Sequence, residues 1–147
     1  MAESDDHELA HRLATEAGAM LVDLRCQLTE EGATPAGLKA AGDRSAHLML
    51  MEALAEARPD DAVLSEEGRD NLGRLDADRV WIIDPLDGTR EFSEVPRIDW
   101  AVHVALVEDG QPTAGAVALP AVGVTHSTAQ PPQILAEPNR PPRLAVS

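Results

Sequence analysis

Trp81-Ile82-Ile83-Asp84-Pro85-Leu86-Asp87-Gly88-Thr89-Arg90-Glu91-Phe92 is the stretch whose reading decides the fold of this chain. The apolar run Val80 to Ile83 predicts a buried strand, and it leads straight into two carboxylates, Asp84 and Asp87. Pro85 fixes its own φ and confines Asp84 to extended conformations, while Gly88 permits a sharp turn after Asp87. Asp84, the Leu86 carbonyl and Asp87 are thereby expected to converge at the strand end. Oxygen donors so placed suit a hard divalent cation, and Mg²⁺ takes one or two carboxylates while keeping positions for water and phosphate. A polar turn closing a core strand is the plain alternative for an isolated D-x-x-D. The agreement of the whole stretch in order and type favours the cation.

Outward from this stretch, the composition sets bounds. The chain has 147 residues, 44% of them apolar, enough for one domain with a core. Trp81, Phe92 and Trp100 are the only aromatics, so Ala, Leu, Val and Met must build that core. A formal charge of −14 argues against a nucleic-acid or anionic-membrane binder, which needs a basic patch. The lone Cys26 has no internal disulfide partner, which suits a reducing cytoplasm, and reads as a small core or boundary residue. Met1 to Asp6 is acidic and lacks the basic and apolar regions of a signal peptide. No apolar run approaches the ~20 residues of a membrane span. A cytoplasmic protein is expected.

Leu9, Leu13, Ala17, Met20, Leu21, Leu24 and Leu28 recur at helical spacing and predict one long amphipathic helix. A break from Gly32 to Gly37 follows. A second helix is expected from near Asp43 to Arg58-Pro59, with Leu48, Met51, Leu54 and Ala55 on its buried side. Strands are expected at Ala62 to Leu64, Val80 to Ile83, Ala101 to Val107, Ala114 to Leu119 and Val122 to His126. Glu108-Asp109-Gly110-Gln111 reads as a hairpin turn. The pattern predicts an α+β fold, two N-terminal helices packed on one face of a mostly antiparallel sheet. That domain is assigned to residues 1–128; residues 129–147 form a Pro-rich segment that ends in Arg143-Leu144-Ala145-Val146-Ser147, an apolar run like a strand beginning.

The motif resembles the signature of the lithium-sensitive, Mg²⁺-dependent phosphomonoesterase superfamily of inositol monophosphatases and 3′(2′),5′-bisphosphate nucleotidases. That signature reads D-P-[IL]-D-G-[ST] after a W-[IV]-[IV] strand, preceded by a G/S-E-E element, here Leu64-Ser65-Glu66-Glu67. Arg90-Glu91-Phe92, where inositol monophosphatases more often carry Thr-Asn-Phe, resembles the bisphosphate nucleotidase (CysQ-type) branch. The resemblance implies the N-terminal half of the layered inositol-monophosphatase-like (sugar phosphatase) fold. Family members are usually about 250 residues or more, a size at which a core often divides. Their second half carries a W-[DE]-x-[AS]-[AG] element that supplies a further aspartate. No such element follows Asp87, and Trp100-Ala101-Val102-His103 does not match it. The expectation is a truncated phosphatase without its C-terminal subdomain.

Carried over position by position, the resemblance implies that Glu66, Asp84, the Leu86 carbonyl and Asp87 hold two or three Mg²⁺ ions. Asp43 and Thr89 would polarise the attacking water together with Glu66, and Asp87 and the Gly88 and Thr89 amides would meet the substrate phosphate. Bound cations would also reconcile the −14 charge with an anionic substrate. Simpler roles stand beside these: Asp43 as a helix N-cap, Thr89 closing a turn, Glu67 as a structural neighbour of Glu66. Arg90 and Glu91 read either as a surface ion pair or as a lip near the substrate. His7 and His11, at i and i+4, lack a third ligand and read as a solvated helix face. His103 is expected on the opposite side of its strand from Val102 and Val104, in a structural role. Trp100 is expected to be buried rather than to stack on a purine.

The implied activity is removal of the 3′-phosphate of 3′-phosphoadenosine 5′-phosphate within sulfur assimilation, with lithium inhibition. Hydrolysis of inositol 1-phosphate is the nearest alternative. The other is a non-catalytic half-domain that binds Mg²⁺ weakly and pairs with a second copy or a separate C-terminal half, its exposed edge beginning at Leu144. A small phosphorylated substrate is expected, and neither nucleic acid nor membrane.

Overall fold

The computed structural model describes residues 4–68 and 77–133. Helix α1 (Ser4–Glu30) is followed by α2 (Pro35–Ala57), then strand β1 (Ala62–Ser65) and β2 (Arg79–Asp87). The short α3 (Thr89–Ser93) comes next, then β3 (Ala101–Glu108), β4 (Gln111–Leu119), a 3₁₀ turn (Pro120–Val122) and β5 (Val124–Ser127). The fold is the expected α+β.

α1 buries Leu9, Leu13, Ala17 and Leu21 as one stripe, the face its spacing predicts. α2 departs from expectation. It begins at Pro35, because Thr34 accepts the Gly37 amide on its hydroxyl at 3.1 Å and Pro35 suits the first turn. Asp43 thus lies inside the helix and is not its N-cap. The buried stripe is Leu38, Gly42, Ala46, Leu50 and Leu54, which leaves Leu48 46% exposed and Ala55 on the solvent side. Leu38 and Gly42, which precede the expected start near Asp43, begin the i, i+4 stripe that defines the buried face. Cys26 is likewise on the solvent side of α1.

The five strands lie in the order β1-β2-β3-β4-β5. All neighbouring pairs are antiparallel except β1 and β2, which run parallel across a connection of the dozen or more residues such a pair needs. β3 and β4 join through a two-residue turn whose Asp109 and Gly110 both have positive φ, 50° and 74°, the twist a tight hairpin favours. The expected last strand starts late, because the 3₁₀ turn takes Val122.

Trp81, Ile83, Val104, Leu106 and Ala116 face the helices and are almost fully buried. Their alternates Ile82, Ala105, Val107 and Val117 line the opposite face, over which no described helix packs; Ile82 is 40% exposed there. A buried ion network locks the helices to the sheet. Asp6, 1% exposed, accepts from Arg58 Nε at 2.9 Å and from Arg79 at 3.1 Å. Arg79 also reaches Asp61 and Glu108, and Asp61 takes the Trp81 indole N–H at 2.8 Å. His7 and His11 are not a solvated face: they bond Thr128 at 2.7 Å and Ser127 at 3.0 Å, pinning α1 beside β5.

Candidate active site

β2 carries the motif out of the core: Ile83, Pro85 and Leu86 are buried, Asp84 is half-buried and Asp87 exposed. Its register against β3 slips between Asp84 and Asp87, where Pro85 has no N–H to offer the ladder. Asp84 turns back to accept the Leu86 amide at 3.2 Å.

The parallel pairing of Ser65 with Ile83 delivers the second carboxylate. The Glu66 amide donates to the Ile83 carbonyl at 3.1 Å, which extends the ladder one residue and sets Glu66 beside Asp84. Burial, then a hydrogen bond shared with Glu66 and the charges of Glu66 and Asp87, push the Asp84 carboxyl up to about 6. Glu67 is raised by burial and by the charges of Asp43 and Glu66.

α2 supplies the facing group. The Thr89 hydroxyl lies 3.1 Å from Asp43 Oδ1 and 3.0 Å from the Leu86 carbonyl. Burial raises the Asp43 carboxyl, and the Thr89 hydrogen bond works against that rise. One turn further along, His47 Nδ1 meets the Ser65 hydroxyl at 2.8 Å and ties α2 to the strand carrying Glu66.

Gly88 turns the chain with φ 79°. A side chain there would sit 3.0 Å from the Asp99 carbonyl and 3.2 Å from Trp100 Cα. Glu66, Asp84, Asp87 and His103 line one open cleft of ≈ 590 Å³, with Leu64 and Ile82 beneath them on the outer sheet face.

The expected residues are therefore brought together in two groups. Glu66 and Asp84 are neighbours lining one cleft; Asp43, Thr89 and the Leu86 carbonyl form the other group. Asp87 points to His103, whose Nε2 is 3.0 Å from its Oδ2. Among the described residues no three acidic, histidine or cysteine side chains are gathered closely enough to hold an ion as they stand. Arg90 and Glu91 do not pair with each other, since adjacent helical residues diverge. Arg90 bonds Glu94 one turn on, and Glu91 faces Arg97. Trp100 is 2% exposed and packs edge-on against Phe92, with ring centroids 5.0 Å apart, so it does not present a stacking surface.

His47 and His103 are the site neighbours that sequence reasoning did not assign to it. For His47 a signal existed: it stands at i+4 from Asp43 and shares its helix face. His103 was read as outward-facing but structural. Only the β2–β3 register, which pairs His103 with Asp84, shows that it borders the carboxylates.

A buried strand ending in carboxylates under a helix-borne aspartate–threonine pair defines the class. The chain belongs to the inositol monophosphatase family, whose profile matches residues 4–134. It is 52% identical over 131 residues to the 3′-phosphoadenosine 5′-phosphate phosphatase of Mycobacterium leprae, covering 83% of this chain and 48% of that protein. It is 54% identical over 113 residues to the protein of the same name from Mycobacterium bovis, 74% of this chain and 42% of that one. With the 3′(2′),5′-bisphosphate nucleotidase CysQ of Escherichia coli it shares 38% over 91 residues, 61% of this chain and 37% of that protein. Among solved structures, inositol monophosphatase II of Staphylococcus aureus superposes with a TM-score of 0.73 at 27% identity, over 86% of this chain and 46% of that one. Mycobacterium tuberculosis SuhB gives 0.67 at 30%, over 83% and 43%. The chain spans about half the length of the curated relatives it matches.

Proposed function

We propose that this chain is the motif-bearing half of a Mg²⁺-dependent phosphomonoesterase that removes the 3′-phosphate of 3′-phosphoadenosine 5′-phosphate, giving AMP and phosphate. One observation carries the choice of substrate. Identity reaches 52% and 54% to relatives bearing that name, against 27% to the staphylococcal inositol monophosphatase. Lithium inhibition, a cytoplasmic location and a place in sulfur assimilation belong to the same proposal.

The donor set fits Mg²⁺. It is all oxygen, and the rise of Asp84 to about 6 marks a place where burial and neighbouring carboxylates penalise negative charge, a penalty a divalent cation relieves. Glu66, Asp84, the Leu86 carbonyl and Asp87 are the residues assigned to hold two or three ions. When bound, such ions supply positive charge against the phosphoryl oxygens and acidify the attacking water. Asp43 accepts the Thr89 hydroxyl proton and so leaves a Thr89 lone pair free to take a proton from water. Glu66 orients that water from the other side. The Gly88 and Thr89 amides and Asp87 are assigned to the substrate phosphate.

A second reading rests on the outer sheet face, where Ile82 is 40% exposed and over which no described helix packs: it favours a unit that completes its site with a partner surface, a separate C-terminal half or a second copy. Inositol 1-phosphate is the alternative substrate.

Phosphate release from both substrates, with Mg²⁺ titrated, tests these readings in the purified chain, alone and mixed with the second half of a relative. Mg²⁺-dependent turnover of the nucleotide that vanishes in Asp84→Asn is expected. Preference for inositol 1-phosphate would overturn the substrate, and turnover only in the mixture would make the chain a half needing its complement. No turnover in any arm would overturn the enzymatic reading.

A further inference from the structure

We infer that Arg25, on α1 and outside the cleft, is a positioning residue for the Asp43–Thr89 pair. The inference rests on the proposed role of that pair in activating water. Arg25 donates one guanidinium nitrogen to the Arg97 carbonyl at 2.8 Å and another to the Glu91 carbonyl at 3.4 Å. These carbonyls belong to α3 and to the loop that leaves it, so one side chain clasps both ends of the segment that follows Thr89. The guanidinium carbon also lies 5.5 Å from the Phe92 ring centre and 5.8 Å from that of Trp100, within range of a cation–π contact with each. Burial lowers the Arg25 pKa, as expected of a cation drawn off the surface.

What Arg25 holds is what sets the pair. Phe92 is fully buried and its ring rests against α2 at Gly42, where an added methyl would stand 2.8 Å from Phe92 Cε1 and 2.8 Å from Leu86 Cδ2. Gly42 precedes Asp43, so the thickness of this contact fixes how far Asp43 stands from Thr89. Trp100 backs the turn at Gly88, where an added methyl would stand 3.2 Å from the Trp100 Cα and Cβ, so its backbone limits the turn from which Thr89 starts. The Phe92 amide closes the unit by donating to the Gly88 carbonyl at 2.9 Å. Arg25 therefore braces the Phe92 ring that spaces α3 against α2, together with the Trp100 ring packed edge-on against it. It touches neither the carboxylates nor the cleft. Arginine suits the task where lysine does not, because its planar fork serves two carbonyls while its faces meet aromatic rings.

The test compares wild type, Arg25→Lys and Arg25→Gln by amide hydrogen exchange, Mg²⁺ titration calorimetry and phosphate release. In Arg25→Gln, exchange at the Phe92 amide is expected to quicken about tenfold while the Val104 and Leu106 amides keep wild-type protection. Mg²⁺ affinity stays within about twofold, because no proposed ligand is touched. Where wild type turns over, kcat falls about tenfold or more with KM little changed, the mark of an interaction used in the transition state. Arg25→Lys recovers less than half of either effect. Unchanged exchange at Phe92, or an equal loss of protection across Val104 and Leu106, overturns the inference. If wild type is inactive in every arm, the enzymatic reading falls, and the local exchange pattern alone decides whether Arg25 braces the segment.

Discussion

The Thr89 hydroxyl sits 3.1 Å from Asp43, two residues 46 positions apart in sequence that belong to α3 and α2. The bond crosses from the signature turn to the first helical layer, so the geometry of the site is set by how those layers pack. Asp43 is half-buried inside α2, and burial is the largest influence on its carboxyl.

This pair gives a pH prediction with a defined sign. Burial raises Asp43 above its ordinary value of 3.8, while Thr89 lowers it. Just above 3.8 the folded chain still holds a proton that the unfolded chain has released, so this contribution to stability is present at acid pH and lost as pH rises through the folded value. Carboxyl carbon NMR titration should place Asp43 above 3.8 in wild type and higher still in Thr89→Val, which removes the opposing donor. An Asp43 midpoint at or below 3.8 refutes the burial argument.

Thr89→Val should lower any Mg²⁺-dependent phosphate release about a hundredfold, the scale of a lost proton acceptor. Thr89→Ser keeps the hydroxyl and should retain most of the rate. Equal activity in the valine and serine variants would show that Thr89 only closes the turn.

Gly42→Ala should destabilise the fold by about 1–3 kcal/mol, since its methyl would meet two buried side chains in a packed core. Urea denaturation measures this directly. Trimming Phe92 to Leu in the same chain should recover part of the loss, and a simple sum of the two single costs would show that they do not share a contact.

Asp6→Ala should cost about 3 kcal/mol, because it strips a buried carboxylate from between Arg58 and Arg79 and leaves two guanidinium groups with fewer acceptors. The measurement is again denaturant unfolding. A change under about 0.5 kcal/mol, typical of surface positions, would show that Asp61, Asp5 and Glu108 satisfy both arginines alone.

Mg²⁺ at about a hundred times its dissociation constant should stabilise the chain by roughly 2.7 kcal/mol, and EDTA should remove the gain. Glu66→Gln should weaken the effect and Asp84→Asn abolish it in thermal unfolding. A thermal shift that survives in Asp84→Asn would place the cation elsewhere.

Much of this was legible without coordinates. The three-and-four spacing of α1, the hairpin at Asp109-Gly110 and the strand at Val80 to Ile83 are local, because helical spacing, positive-φ turns and apolar runs are written in neighbouring residues. The expected burial of that whole run is corrected: Trp81 and Ile83 are buried, whereas Ile82 is 40% exposed on the outer sheet face and Val80 is partly buried. The carboxylate spacing of Asp84 and Asp87 is equally local, since Pro85 and Gly88 act on their own dihedral angles. The start of α2 was misplaced although Thr34-Pro35 is a local capping signal, because the glycines on either side of it read as a break. The error placed Asp43 at a helix end, whereas it lies in the interior of α2, and it left Leu38 and Gly42 out of the stripe that shows which face is buried.

The sequence by itself determined the elements, their chemistry and the family. Tertiary structure alone decided which of them meet. Glu66 lies beside Asp84 because β1 and β2 pair in parallel in one register, and a slip of one residue would turn Glu66 to the other face. Asp43 meets Thr89 because Phe92 fits against a residue without a side chain, and Asp87 faces His103 because the ladder is interrupted at Pro85. Register, packing thickness and a bulge are properties of two segments at once. No single stretch of chain carries them, whereas each residue's own conformational and chemical preferences travel with the sequence.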